Sequence, residues 1–103
     1  MPSASVVVVG SINADLTLTV PRHPNPGETL HGQGGLYAPG GKGANQALAA
    51  ALAGAPTTMI GAVGDDANAT TATALLHTHG VDLSAVEEVP GPTGLAVITV
   101  DAA

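Results

Sequence analysis

The chain of 103 residues has no cysteine, no tryptophan, no phenylalanine and a single tyrosine. Without cysteine there is no disulfide framework and no thiolate zinc site, and the redox compartment stays open. Without large aromatics, any core must be filled by alanine, valine and leucine, and a chain of this length buries only a modest one. Basic residues are nearly missing as well. Arg22 and Lys42 stand against eight acids, giving a net charge of −6. That balance argues against nucleic acid, which needs a basic surface, and against anionic membranes. The longest apolar run, Ala47 to Ala55, is far below the ~20 residues of a membrane span. There is no basic N-terminal region, and Val6 to Val9 is too short for a signal-peptide core. The expectation is one domain of a soluble, cytoplasmic protein.

What is present reads as alternating strands and helices. Ser5 to Val9 is a short valine run of the kind buried on both faces in a parallel sheet. From Asn13 to Val20 the pattern alternates, with Asn13, Asp15, Thr17 and Thr19 on one face and Ala14, Leu16, Leu18 and Val20 on the other. Pro21 to Gly27 is a proline-stiffened turn. Glu28 to Gln33 and Leu36 to Ala38 are expected as short strands on either side of Gly34-Gly35. Gly41 to Ala53 is expected to be helical, with Ala44, Leu48, Ala51, Leu52 and Ala55 at core spacing, ended by Gly54 and Pro56. Thr57 to Val63 returns as a strand. Asp65 or Asp66 is placed to cap a second helix that runs to about His79 and stops at Gly80. Thr93 to Val100 is the last strand. This order implies right-handed crossovers in a mainly parallel sheet.

One run stands out at the entry to the first helix: Gly40-Gly41-Lys42-Gly43-Ala44-Asn45-Gln46-Ala47. It holds the only lysine, in a first helical turn where the helix dipole disfavours a cation. The glycines before it allow the backbone close to something bulky, and Asn45 follows one turn later. The run suits a pocket floor that grips a polar or anionic ligand. It equally suits a flexible turn with a solvated lysine. A P-loop is excluded, because Leu36 and Gly43 stand where that motif needs Gly and Ser or Thr. No Gly-x-Gly-x-x-Gly occurs either.

Asn13 and Asp15, two apart on a strand, form a second constellation. A carboxylate there can accept from both hydroxyls of a vicinal diol, with an amide donating and accepting beside it, which suits a sugar. The alternative is the polar side of a half-exposed strand, continued by Thr17 and Thr19. The histidines carry less. His77 and His79 point to different faces of a helix and cannot share a metal as an i, i+4 pair would; His23 and His31 lie in a turn and a short strand. All four read as structural or surface residues. Gly61-Ala62-Val63-Gly64-Asp65-Asp66 reads as a glycine turn with a helix cap rather than as a catalytic aspartate.

Taken together, these segments resemble the N-terminal part of the ribokinases, in the PfkB carbohydrate-kinase family. The family's first signature is met by Gly40, Gly41, Gly43, Asn45, Ala47, Gly54 and Gly64. The opening Val8-Val9-Gly10-Ser11-Ile12-Asn13-Ala14-Asp15 is similar too, as are Pro26-Gly27-Glu28-Thr29, Gly80-Val81-Asp82 and Thr93-Gly94 with the strand that follows. Ala69 departs from the glycine usual there.

The resemblance implies an α/β, ribokinase-like fold: a mainly parallel sheet flanked by helices, with a small β-lid. Residues 1–103 would be the sugar-binding half and the lid strands. Asn13, Asp15, Gly40, Gly41, Lys42 and Asn45 would contact the sugar, and the lid would pair two subunits into a homodimer. The implied reaction is ATP-dependent phosphorylation of ribose to ribose 5-phosphate, with Mg2+ and a possible monovalent cation in the full-length family member. The alternatives are a sibling kinase for another sugar or a nucleoside, or a non-catalytic truncated polypeptide. The family's downstream Asp-Thr-x-Gly-Ala-Gly-Asp motif, which supplies the anion hole and catalytic aspartate, does not occur in this sequence. No catalytic, cofactor-binding or metal-binding residue is therefore expected within it.

Overall fold

The computed structural model describes residues 4–102. Eight elements follow in order: β1 (Val6–Val9), β2 (Asn13–Val20), β3 (Gln33–Gly40), α1 (Lys42–Leu52), β4 (Thr57–Val63), α2 (Ala67–Thr78), β5 (Asp82–Glu88) and β6 (Leu95–Asp101). They build two three-stranded sheets. One has the order β1-β4-β5, with every pair parallel. The other has the order β3-β2-β6, antiparallel between β2 and β3 and parallel between β2 and β6.

The parallel sheet and the two helices form the body. Val8, Ile12, Ala44, Ala47, Met59, Val63, Ala72, Leu76 and Val81 make its core, and Met59 and Leu76 are the largest side chains fully buried there. With so little side-chain bulk, the elements approach backbone to backbone. A Cβ on Gly43 of α1 would lie 2.8 Å from the Gly10 backbone, and one on Gly61 of β4 would lie 2.8 Å from the Gly10 carbonyl oxygen. The helix therefore rests almost directly on the end of β1. The opposite face of the sheet is bare: Val9 is 75% exposed, and Val7 and Ile60 beside it are exposed too. Parallel sheets normally carry cover on both faces.

The second sheet projects from this body. The radius of gyration is 16.2 Å, against roughly 13 Å for a compact domain of this size. Ala14 and Val20 are the buried apolar residues of β2, while Leu36 and Tyr37 on β3 and Leu95, Val97, Ile98 and Val100 on β6 are exposed. The loop between β2 and β3 is stapled by a two-pronged pair. Arg22 donates to both oxygens of Glu28, the Nη2–Oε2 arm being 2.6 Å, and the Asn25 N–H adds a third donor at 3.0 Å. The guanidinium holds the Glu28 carboxyl below its ordinary range, and Glu28 raises Arg22 in turn. His23 ties the same loop to β6, with Nδ1 3.1 Å from Thr99 Oγ1 and Nε2 3.5 Å from Asp101 Oδ2.

Several expectations are corrected. Gly34-Gly35 does not separate two strands; both glycines lie inside β3 at φ +99° and +60°. The register slips there, with Thr17 opposite Leu36 and Leu18 opposite Gly34, so Gly35 is the extra residue of a β-bulge. Residues 28–32 carry no strand. The polar segment Asp82–Glu88 is a strand that the sequence reading did not anticipate. Leu52 is exposed, because it falls about a quarter-turn off the stripe of Ala44, Ala47, Leu48 and Ala51 at 3.6 residues per turn. Gly41 is the N-cap of α1, one residue outside the helix.

Candidate functional site at the seam between the two sheets

The two constellations singled out in the sequence meet where β2 leaves the body. Asn13 pairs in register with Gly40, and Asp15 with Ala38, so the polar start of β2 lies beside the glycine end of β3. The contact is intimate: a Cβ on Gly40 would collide with the Asp15 carboxylate. Gly40 is thus empty space that the carboxylate uses. Gly41 takes φ +98°, a conformation side-chain-bearing residues avoid, and a Cβ there would lie 2.6 Å from the Ser11 carbonyl oxygen. This turn sends the chain directly into α1. The Ala44 N–H then donates to Ser11 O at 3.0 Å and the Asn45 N–H to Gly41 O at 2.9 Å. Asn45 is exposed one turn along the helix, and Lys42 is exposed at its first residue. Among the described residues Lys42 takes part in no ion pair.

The arrangement gathers a carboxylate (Asp15) and an amide (Asn13) paired across from the double glycine with an amide (Asn45), a lysine and a helix N-terminus without a side-chain cap that follow it in the chain. Acceptors and donors lie side by side, as a polyhydroxylated ligand requires. Asn13, Asp15, Gly40 and Gly41 are in direct apposition, whereas Lys42 and Asn45 join them through the first turn of α1.

Sequence reasoning named Gly94 only within the family resemblance and did not connect it with Asn13, whose far side it flanks. A Cβ on Gly94, at the entry to β6, would lie 2.5 Å from Asn13 Oδ1, and the Gly94 carbonyl accepts the Ala14 N–H at 2.9 Å. The signal was a glycine at the mouth of an otherwise apolar strand. Asp66 also differs from expectation. It is the N-cap residue of α2, but its side chain makes no capping bond. Its carboxylate reaches instead to Thr93, accepting the hydroxyl at 2.6 Å and the N–H at 3.2 Å. The Thr93 hydroxyl bond is the chief cause that lowers the Asp66 carboxyl below its ordinary range. Among the described residues no group of three or more His, Asp or Glu side chains could hold a metal ion.

The sequence profile of the pfkB family carbohydrate kinases matches residues 3–103. The chain belongs to that family. It is 43% identical over 97 residues to a ribokinase of Haemophilus influenzae, covering 93% of this chain and 32% of that protein. To a ribokinase of Bacillus subtilis it is 44% identical over 85 residues, covering 82% and 29%. The structure of an Arabidopsis thaliana ribokinase complexed with ribose and ATP superposes with a TM-score of 0.88 at 38% identity, over 98% of this chain and 33% of that one. A ribokinase of Cryptococcus neoformans complexed with ADP gives 0.84 at 39%, over 97% and 31%. The chain therefore spans about a third of the length of the relatives it matches. The body and projecting sheet described above are the N-terminal part of the ribokinase fold.

Proposed function

We propose that this chain forms the sugar-binding floor and lid of a ribokinase-type kinase, which transfers the γ-phosphoryl group of ATP to the primary hydroxyl of ribose. The observation that carries the reading is the apposition of Asp15 and Asn13 on β2 with the side-chain-free Gly40-Gly41 turn. Asp15 accepts hydrogen bonds from two adjacent sugar hydroxyls. Asn13 and Asn45 donate and accept around the ring, and Gly40 and Gly41 let the ring approach the backbone. The N-terminus of α1 and Lys42 contribute positive potential at the same rim. ATP and Mg2+ supply the phosphoryl group and neutralise its charge. Among the described residues no group of three or more His, Asp or Glu side chains could hold the metal, and no step of the transfer is assigned to them.

The projecting sheet acts as the lid. Its apolar residues on β6 suit cover by the same sheet of a second copy, giving a homodimer. Among the described residues no helix is long and apolar enough to cross a membrane, and we place the protein in the cytoplasm. Calorimetric or NMR titration of the chain with ribose tests the reading. Binding that is lost in Asp15→Ala and retained in Thr17→Ala supports it; ribose affinity indifferent to Asp15 overturns it. Supplied with ATP, Mg2+ and ribose, the 103-residue chain alone is expected to form no ribose 5-phosphate above a protein-free control.

A further inference from the structure

We infer that Asp66 and Thr93 are a positioning pair for the candidate sugar site, holding the Asn13 side chain in place through Gly94; this rests on the reading of Asn13 as a sugar ligand. The geometry forms a continuous line. Asp66 immediately precedes α2, on the body. A carboxylate there ordinarily bonds the N–H groups of its own first turn, but this one spans to residue 93 and takes both donors of Thr93. Thr93 is 3% exposed, and its hydroxyl oxygen also accepts the Gly64 N–H at 3.0 Å. A buried hydroxyl that both donates and accepts has one orientation available to it.

A second rung lies beside the first. The Asp65 N–H donates to Gly91 O at 2.9 Å, and the Gly91 N–H donates to Asp65 Oδ1 at 3.1 Å. Gly64 leaves no gap in between, since a Cβ on it would collide with the backbone of residues 91–93. Residues 91–93 are thereby fixed to the end of β4. The next residue is Gly94, which bonds the backbone of Ala14 and abuts Asn13 Oδ1. A shift of Thr93 therefore passes into Gly94, and the Asn13 amide is the first side chain of the site to feel it. A fastening that only tied β6 to the body would change stability and leave that amide alone.

The test uses the full chain, labelled with nitrogen-15, with the Asn13 side-chain amide assigned from its loss in Asn13→Asp. Thr93→Val removes the hydroxyl at nearly constant volume, Asp66→Asn removes the charge, and Thr93→Ser keeps the hydroxyl. Leu76→Ala, in the body core, serves as a destabilised control. Thr93→Val and Asp66→Asn are expected to move the Asn13 amide resonances and to weaken ribose binding about fivefold or more. Thr93→Ser should stay within about twofold of the parent, and Leu76→Ala should lower the melting temperature without moving the Asn13 signals. The inference is overturned if Thr93→Val and Asp66→Asn only lower the melting temperature, with Asn13 and ribose affinity unchanged. Should Thr93→Val fail to fold, Asp66→Asn against Thr93→Ser decides by the same signals. If the parent chain takes up no ribose, yet the Asn13 signals move in Asp66→Asn and stay in place in Thr93→Ser, the positioning stands and the sugar reading falls.

Discussion

The body and the projecting sheet are made from the same small aliphatic residues, yet one buries them and the other leaves most of them exposed. In the body, Met59, Leu76, Ala47 and Ala72 lose nearly all contact with water between sheet and helices. In the projecting sheet, β6 keeps Leu95, Val97, Ile98 and Val100 exposed, and among the described residues neither helix packs closely on that strand. The difference is one of layers rather than composition, because a sheet must bury a face against another element to be stable alone. The candidate site lies on the seam. The strand that carries Asn13 and Asp15 belongs to the outer sheet, and the glycine turn leads into the body.

Substitutions should divide along that seam. The largest effect belongs to the body: Leu76→Ala should cost about 2–5 kcal/mol, the usual penalty for emptying a packed leucine site. Urea denaturation measures it, and a loss well under 1 kcal/mol would mean that the core is not cooperative. Next come the seam residues. Asp15→Ala removes charged hydrogen bonds worth roughly 1.5–3 kcal/mol each, so a loss of ribose affinity of tenfold or more is expected. Gly40→Ala should match it by displacing the same carboxylate, with the melting curve little changed in both. If Gly40→Ala unfolds the chain instead, seam and body are one cooperative unit.

Acid sharpens the contrast further. Asp66 and Glu28 both titrate below their ordinary values of 3.8 and 4.5. A carboxyl depressed in the folded state stabilises it above the unfolded value, and that contribution is lost as pH falls through the folded one. Stability should therefore decline below about pH 4.5, and further below about pH 3.8. Asp66→Asn should flatten the decline seen by body probes such as hydrogen exchange at Met59. Glu28→Gln should flatten only that of the β2–β3 loop. The smallest effect on melting is expected for Val97→Lys on β6, within about 0.5 kcal/mol. Its readout is association: analytical ultracentrifugation should show a loss of self-association in this variant. Unchanged sedimentation would exclude this face of the projecting sheet as a surface of self-association.

How far the sequence exposed this architecture depended on periodicity. The strand Asn13–Val20 was legible because its alternation is unbroken, and α1 because its alanines recur at helical spacing. β3 was misread because glycine was taken as a strand breaker, whereas two glycines at positive φ are how this strand absorbs an extra residue. β5 was overlooked for a related reason. Its half-buried residues, Leu83 and Val86, are three apart, since the register with β4 slips between Thr58 and Ile60, and alternation never shows. At the site, residues that interact within a strand or turn were recognisable in the sequence. The contacts of Thr93 and Gly94 were not, because these residues reach Asp66 and Asn13 across 27 and 81 positions of chain, a proximity that only folding creates.

The scarcity of aromatics has a practical result. Tyr37 is the one aromatic side chain, opposite Leu16 on the outer sheet and 53% exposed. Absorption near 280 nm and intrinsic emission of this chain therefore arise at a single point on the projecting sheet, with a body behind it that carries no such chromophore. Ordinary fluorimetry becomes a site-specific instrument: covering of the projecting sheet around Tyr37 alters the signal, while melting of the body beneath an intact outer sheet leaves tyrosine emission unchanged.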